Sequence, residues 1–307
     1  MRQPPQIQFL PDGRRLHMNH GPIDLIIEAF GDGAEIQKAY GAGVRRFSTV
    51  LEELCSELPQ LRREASAINL RCGGSVARRM LAAVLPFSAH TFITPMAAVA
   101  GAVAEEILEA MTSAANLSRA YVNDGGDIAL HLSLGEHFTA GMVDDSQTQQ
   151  RRRIAQQFGA ARIDFTDAAR GIATSGWRGR SFSLGIADAV TVLTPRAAMA
   201  DAAATIIANA VDLPGDAAII RVPANEIAPD CDLGAIPVTR DVPRLNSHDK
   251  STALANGSAV ARELLHRGLI CAAALHLQGE TQIIGLTAAL KSPRATNLAL
   301  DRSLTHA

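Results

Sequence analysis

Residues 187–211 read Ala187-Asp-Ala-Val-Thr-Val-Leu-Thr-Pro195-Arg-Ala-Ala-Met-Ala-Asp201-Ala-Ala-Ala-Thr205-Ile-Ile-Ala-Asn-Ala-Val211. The first eight positions form a strand by their β-branched and apolar content, and 195–211 form a helix dominated by alanine. Side chains this small let a helix lie close against a sheet. The same pairing of strands with small-residue helices recurs in both directions along the chain.

Toward the N-terminus, residues 7–31 read as a hairpin region around Pro11-Asp-Gly with a following strand at 23–30. Residues 34–63 carry apolar positions at helical spacing, with Gly41 and Gly43 expected to break or kink the helix near its start. Ser75 is expected to cap a second helix that stops at Pro86, and Thr94-Pro95 to begin a third. Strands are expected at 119–122, 128–132, 137–143 and 172–177, with a polar, arginine-rich surface excursion over 144–157. After residue 211 come a short strand at 218–222, a loop over 223–251, a helix to residue 267 and two closing strands at 269–276 and 282–284. The expected fold is one α/β (α+β) domain over residues 1–290, a mixed, mostly antiparallel sheet packed with helices. Nothing beyond Pro293 is periodic, so 291–307 are expected to form a mobile tail.

Composition narrows the function. Hydrophobic residues make up 47% of the 307 positions and aromatics only 4%, so the core is built from Ala, Leu, Ile and Val. The 29 Lys and Arg against 31 Asp and Glu give a formal charge of −2, which supplies no basic surface for nucleic acid or an anionic membrane. Cys55, Cys72, Cys231 and Cys271 lack C-x-x-C spacing and read as reduced thiols. His17 and His20 are close in sequence, a spacing that suits a strand end as well as a metal site. The opening Met-Arg-Gln-Pro-Pro-Gln has no apolar leader, and the weakly polar run at 95–104 is too short to span a bilayer, so a cytoplasmic location without membrane contact is expected.

Four segments could carry chemistry. In Asn123-Asp124-Gly125-Gly126-Asp127, adjacent glycines permit positive φ and a close backbone approach to a ligand, or simply turn a hairpin. Asp201 and Thr205 stand one helical turn apart, so their oxygens share a face suited to Mg²⁺, while Asp201 alone would also suit a helix N-terminal turn. Ala173-Thr174-Ser175-Gly176 ends a strand in small hydroxyl residues. The helix Ala97-Ala98-Val-Ala100-Gly101-Ala-Val-Ala-Glu105 presents a small-residue surface with one acid. A G-x-S-x-G elbow, an H-E-x-x-H helix, a Walker A lysine and a G-x-G-x-x-G turn are all absent from the sequence.

Taken in order over residues 90–215, these four segments resemble the ApbE-type FAD:protein FMN transferases, and the N-terminal 90 residues resemble a divergent ApbE-like branch. The resemblance implies a tunnelling-fold-related architecture and a reaction that moves FMN from FAD onto a Ser or Thr of a flavoprotein, with AMP released. It implies Mg²⁺ at Asp201 and Thr205 with a backbone carbonyl near Ala98 to Ala100. It also implies flavin-nucleotide surroundings formed by Gly101, Glu105, Asn123, Asp124, Gly125, Gly126, Asp127, Thr174, Ser175 and Gly176. Ala100 stands where that family carries lysine, Glu105 where it carries aspartate, and Ser181-Phe-Ser-Leu-Gly-Ile-Ala-Asp188 where it carries a His-Ile-Ile-Asp-Pro-Arg-Thr-Gly stretch. FAD hydrolysis to FMN and AMP, and flavin binding without chemistry, stay open beside transfer. The acceptor protein and the oligomeric state have no signature in the sequence.

Overall fold

A computed structural model describes residues 4–66, 71–144, 156–285 and 290–291. The hairpin β1 (Gln6–Phe9) and β2 (Leu16–His20) continues into β3 (Ile23–Phe30). The helices α1 (Gly33–Leu61), α2 (Ser75–Val84) and, after a 3-10 turn at Pro95–Ala98, α3 (Val99–Ala114) follow. Next come β4 (Arg119–Asp124), β5 (Asp127–Leu132), β6 (His137–Asp144), β7 (Gln156–Asp164), β8 (Gly171–Ser175) and β9 (Ala189–Thr194), which enters α4 (Ala197–Ala210). An excursion of β10 (Ile220–Pro223), the single turn α5 (Ala224–Ile227) and β11 (Pro237–Asp241) precedes α6 (Ser247–His266). The closing strands are β12 (Ala272–Leu277), β13 (Glu280–Gly285) and β14 (Leu290–Lys291).

Nine strands form one sheet in the order β1-β2-β3-β4-β5-β8-β9-β12-β13, antiparallel at each junction. Alternation along the strands assigns the two faces. Val122, Ala129, Ala173 and Val192 join the larger core beneath the helices, while Tyr121, Ile128, Ile172 and Leu193 join a second core with Phe138 and Ala140 of β6 and Ala161 and Ile163 of β7. Helix α4 is buried on almost every side through Ala197, Ala198, Ala200, Ala202, Ala203, Ala204 and Ala208, as its alanine content dictates. Among the described residues, no helix is long and apolar enough to cross a membrane.

The α/β reading with an antiparallel sheet holds, and the differences lie in details. Helix α1 runs unbroken through Gly41 and Gly43. At Gly43 a Cβ would lie 3.2 Å from Met111 of α3, so this position serves close helix packing, not a break. Gly74, not Ser75, occupies the cap of α2, and the Ser75 hydroxyl donates to Glu106 at 2.5 Å. Thr94 caps no backbone either: its hydroxyl bonds Asp232. The expected loop over 223–251 contains α5, β11 and the start of α6. The expected excursion over 144–157 contains the end of β6 and the start of β7, and its residues 145–155 lie outside the described residues. So does the expected tail from 292 onward.

A buried ionic knot ties α1, α2 and α3 together. Glu106 is 9% exposed and accepts from Arg46 Nε at 2.8 Å, Arg79 Nε at 2.8 Å and the Ser75 hydroxyl. Burial pushes its carboxyl up, but Ser75, Arg46 and Arg79 outweigh burial and hold it below the usual glutamate range. Without Glu106, Arg46 keeps Glu53 and Arg79 keeps Glu109, so the loss is that of charge-assisted hydrogen bonds and not of all compensation. Glu106→Ala is therefore expected to destabilise the chain by about 1.5–3 kcal/mol, read as a shift in urea midpoint. A loss below about 1 kcal/mol would show that the knot behaves like a surface ion pair.

Candidate active site

The turn between β4 and β5 brings carboxylates together. Gly125 and Gly126 both have positive φ, 62° and 109°, which closes a two-residue hairpin. The Asn123 side chain accepts from the Gly126 N–H at 2.8 Å and fixes the turn from within. Asp124 and Asp127 are then cross-strand partners and share the helix-covered face, where like charges placed opposite each other repel. Asp201 joins them from α4. Its Oδ2 accepts the Gly101 N–H at 3.1 Å, and the Ala100 N–H also supports it. The first turn of α3 thus orients this carboxylate.

The electrostatics follow from burial without enough positive charge. Burial pushes Asp201 up to about 7 against the pull of the Gly101 and Ala100 N–H groups, and the charge of Asp124 adds to the rise. Burial likewise pushes Asp124, 5% exposed, up to about 7; Arg180 and the Asp24 N–H oppose this, and the Asp24 charge reinforces it. Asp127 is pushed well above the usual range by burial and by the charges of Asp201 and Asp124, against the Thr174 N–H and Arg180. Three neighbouring carboxylates with the Arg180 guanidinium as their nearest counter-charge are a set of hard oxygen donors, the chemistry that suits Mg²⁺ or a similar cation. No three His, Cys, Asp or Glu side chains among the described residues close around a point on their own. A cation here would therefore keep water or phosphate oxygens as further ligands.

The other candidate residues fall into two groups. Thr205 follows Asp201 by one turn of α4 and stands on the same side of the helix. Ser175 shares the helix-covered face with Ala173, and Gly176 packs against the backbone of Asp188. Thr174 reaches Asp127 through its backbone, while its hydroxyl bonds Thr191 Oγ1 at 2.9 Å on the opposite face. Glu105 is turned to the start of α4: its Oε1 accepts the Ala198 N–H at 2.9 Å, and Oε2 pairs with Arg196 at 2.8 Å. Ala98 is buried at the junction of the 3-10 turn with α3. His17 and His20 do not converge. His17 Nε2 meets Asp24 Oδ1 at 2.5 Å, whereas His20 is buried edge-to-face on Phe47.

Arg180 is absent from the motifs named above, although two arginines flank the glycine in Trp177-Arg-Gly-Arg180, directly after the Thr-Ser-Gly strand end. Its Nη2 lies 4.0 Å from Asp124 Oδ1. Gly101 is the point where α3 meets the start of α4, since a Cβ there would lie 2.3 Å from the Ala197 carbonyl oxygen. Gly101→Ala must push the two helices apart. Its expected cost is about 1–3 kcal/mol of stability together with a displaced Asp201. A variant as stable as the parent, with intact cation binding, would show that this contact does not set the site.

The family described as AbpE bacteria matches residues 7–283. Over 136 residues, 44% of this chain, the sequence is 36% identical to a UPF0280 protein of Methanopyrus kandleri. Over 120 residues, 39% of the chain, it is 38% identical to a UPF0280 protein of Methanothrix thermoacetophila. Those stretches cover 48% and 46% of the two proteins, so the chain spans about half the length of the curated relatives it matches. Among solved structures it is similar to the flavin transferase ApbE from Vibrio cholerae, with TM-score 0.42 and 12% identity over 92% of this chain and 97% of that one. It is also similar to the apo form of Pseudomonas stutzeri flavinyl transferase ApbE, with TM-score 0.39 and 11% identity over 94% and 95% of the two chains. The family match runs from β1 into β13 and takes in every residue of the aspartate cluster: the chain belongs to the family described as AbpE bacteria.

Proposed function

We propose that the chain is a Mg²⁺-dependent flavin-handling enzyme that transfers FMN from FAD to a Ser or Thr of a flavoprotein and releases AMP. The observation that carries this reading is the cluster of Asp124, Asp127 and Asp201 beside a Gly-Gly turn, the first carboxylate buried and the other two half-buried. In this reading Asp201 and Thr205 hold Mg²⁺ together with a backbone carbonyl near Ala98 to Ala100. Gly101, Asn123 to Asp127 and Thr174 to Gly176 surround the flavin nucleotide. Bound Mg²⁺ would neutralise the diphosphate and stabilise the leaving phosphate. The chain's own contribution is orientation. The Ala100 and Gly101 N–H groups aim Asp201, and the Gly125–Gly126 turn lets phosphate oxygens approach the backbone. Glu105 is a positioning residue in this scheme, acting through the first turn of α4.

Incubation with FAD and Mg²⁺, followed by separation of flavins and nucleotides, tests the reading. AMP with flavin attached to an added acceptor flavoprotein marks transfer. AMP with free FMN marks hydrolysis. FAD is expected to bind more tightly than FMN, because only FAD carries the diphosphate bridge. No AMP, together with equal or absent binding of both flavins, would remove the flavin reading. We further propose a single domain over residues 1–290, since one sheet takes in strands from β1 to β13, and a cytoplasmic location, in keeping with four free cysteines.

A further inference from the structure

We propose that Arg180 couples cation binding to diphosphate capture. Its guanidinium is the counter-charge of the aspartate cluster while no cation is bound, and it pairs with a substrate phosphate once a cation takes that role. The proposal rests on the reading of the cluster as a divalent-cation site. Three observations support it. Arg180 Nη2 lies 4.0 Å from Asp124 Oδ1, near enough for attraction but too far for a hydrogen bond. It lies directly over the turn, where a Cβ on Gly125 would be 1.3 Å from Nη2, so this glycine leaves the space that the guanidinium occupies. The Arg180 side chain is 62% exposed.

The neighbouring arginine behaves differently. Arg178 stacks on the Trp177 ring at 4.2 Å and pairs with Asp188 at 3.5 Å, and Asp188 also accepts from Trp177 Nε1 and the Gln278 N–H. The root of the loop is pinned by the Trp177 N–H on the Ala187 carbonyl and the Gly179 N–H on the Gly176 carbonyl, and Arg180 follows with an exposed head group held by its attraction to Asp124. A divalent cation among Asp124, Asp127 and Asp201 would cancel the field that holds the guanidinium. A planar, always charged fork beside that cation matches two oxygens of a diphosphate. The substrate class this selects is a nucleoside diphosphate or its ester.

Titration calorimetry of the full chain at pH 8, with Mg²⁺ alone and then with ADP at saturating Mg²⁺, tests the idea through two changes of opposite sign. R180Q is expected to bind Mg²⁺ roughly three- to tenfold more tightly, because a competing positive charge has gone. The same variant is expected to bind ADP about tenfold or more weakly, because a charge-assisted contact has gone. R180K should recover part of the ADP affinity, and R178Q, whose arginine is committed to Trp177 and Asp188, should match the parent in both titrations. Unchanged affinities in R180Q, or a loss of both, would overturn the proposal while leaving the cation site standing. A parent chain that binds no Mg²⁺ at all would overturn the cation reading itself.

Discussion

Asp201→Asn is expected to lower the proposed Mg²⁺-dependent AMP release from FAD about 100-fold, and in the same variant to raise the melting temperature of the metal-free chain. The two effects share one cause. Asp201 is half-buried, its charge is opposed by that of Asp124, and its compensation comes from two backbone N–H groups. Asparagine keeps an oxygen for Gly101 and Ala100 but removes the charge, which relieves the metal-free protein and disables the site. Mg²⁺ should then no longer raise the melting temperature. Thr205→Val deletes one neutral oxygen and keeps the shape, so its loss should be smaller, about tenfold. A purely structural acid near a helix start predicts the reverse sign: Asp201→Asn would then cost up to about 1 kcal/mol and leave chemistry intact. A variant that melts lower than the parent and keeps its full Mg²⁺-induced rise would remove Asp201 from the metal site.

Much of this arrangement is legible in the sequence because its signals are local. The Ala-rich helix entered from a strand, the paired glycines between apolar strands, and the one-turn spacing of Asp201 and Thr205 all depend on residues near one another. What escapes depends on pairing between distant segments. Asp124 and Asp127 read as turn flanks and, by resemblance, as flavin-nucleotide surroundings, but their meeting with Asp201 depends on α4 lying over this end of the sheet. Arg180 sits 55 positions from Gly125 in the chain and meets it only because β5 pairs with β8 and the loop after β8 folds back. Glu105 reads as a ligand residue by position in a motif, yet its carboxylate is taken up by the Ala198 N–H and Arg196. Ser75 and Thr94 are good cap residues by type, but tertiary partners, Glu106 and Asp232, compete successfully for their hydroxyls. The strand β7 is hidden by composition: it opens with Gln156 and Gln157 of the polar, arginine-rich stretch and continues through Gly159, Ala160 and Ala161, which carry little strand signal.

The metal-free chain is expected to lose stability as pH rises from 5.5 to 8, with the loss abolished by Mg²⁺. The sign follows from proton counts. Unfolded aspartates release their protons near 3.8, whereas folded Asp124 and Asp201 keep theirs up to about 7. Between those values the folded state binds more protons than the unfolded one, so the free energy of unfolding falls with rising pH. For Asp124, 5% exposed, a rise from 3.8 to about 7 corresponds to roughly 4 kcal/mol over that span, about 1.4 kcal/mol per pH unit, of which about 2 kcal/mol falls above pH 5.5. Above about 7 the loss levels off for these two groups. Carboxylates held low, such as Asp12, Glu53 and Glu106, work in the opposite direction, but their stabilisation is lost only in acid, below this window. Mg²⁺ binds the deprotonated cluster, so saturating Mg²⁺ should restore stability most at pH 8 and least at pH 5.5. Urea titrations in EDTA and in Mg²⁺ at four pH values, on the parent and on Asp124→Asn, isolate the effect. The variant should be more stable than the parent in EDTA at pH 8, and the two should converge toward pH 5.5. Parallel curves for parent and variant across the window would mean that Asp124 carries no buried, uncompensated charge, and the cluster would lose its reason to attract a cation.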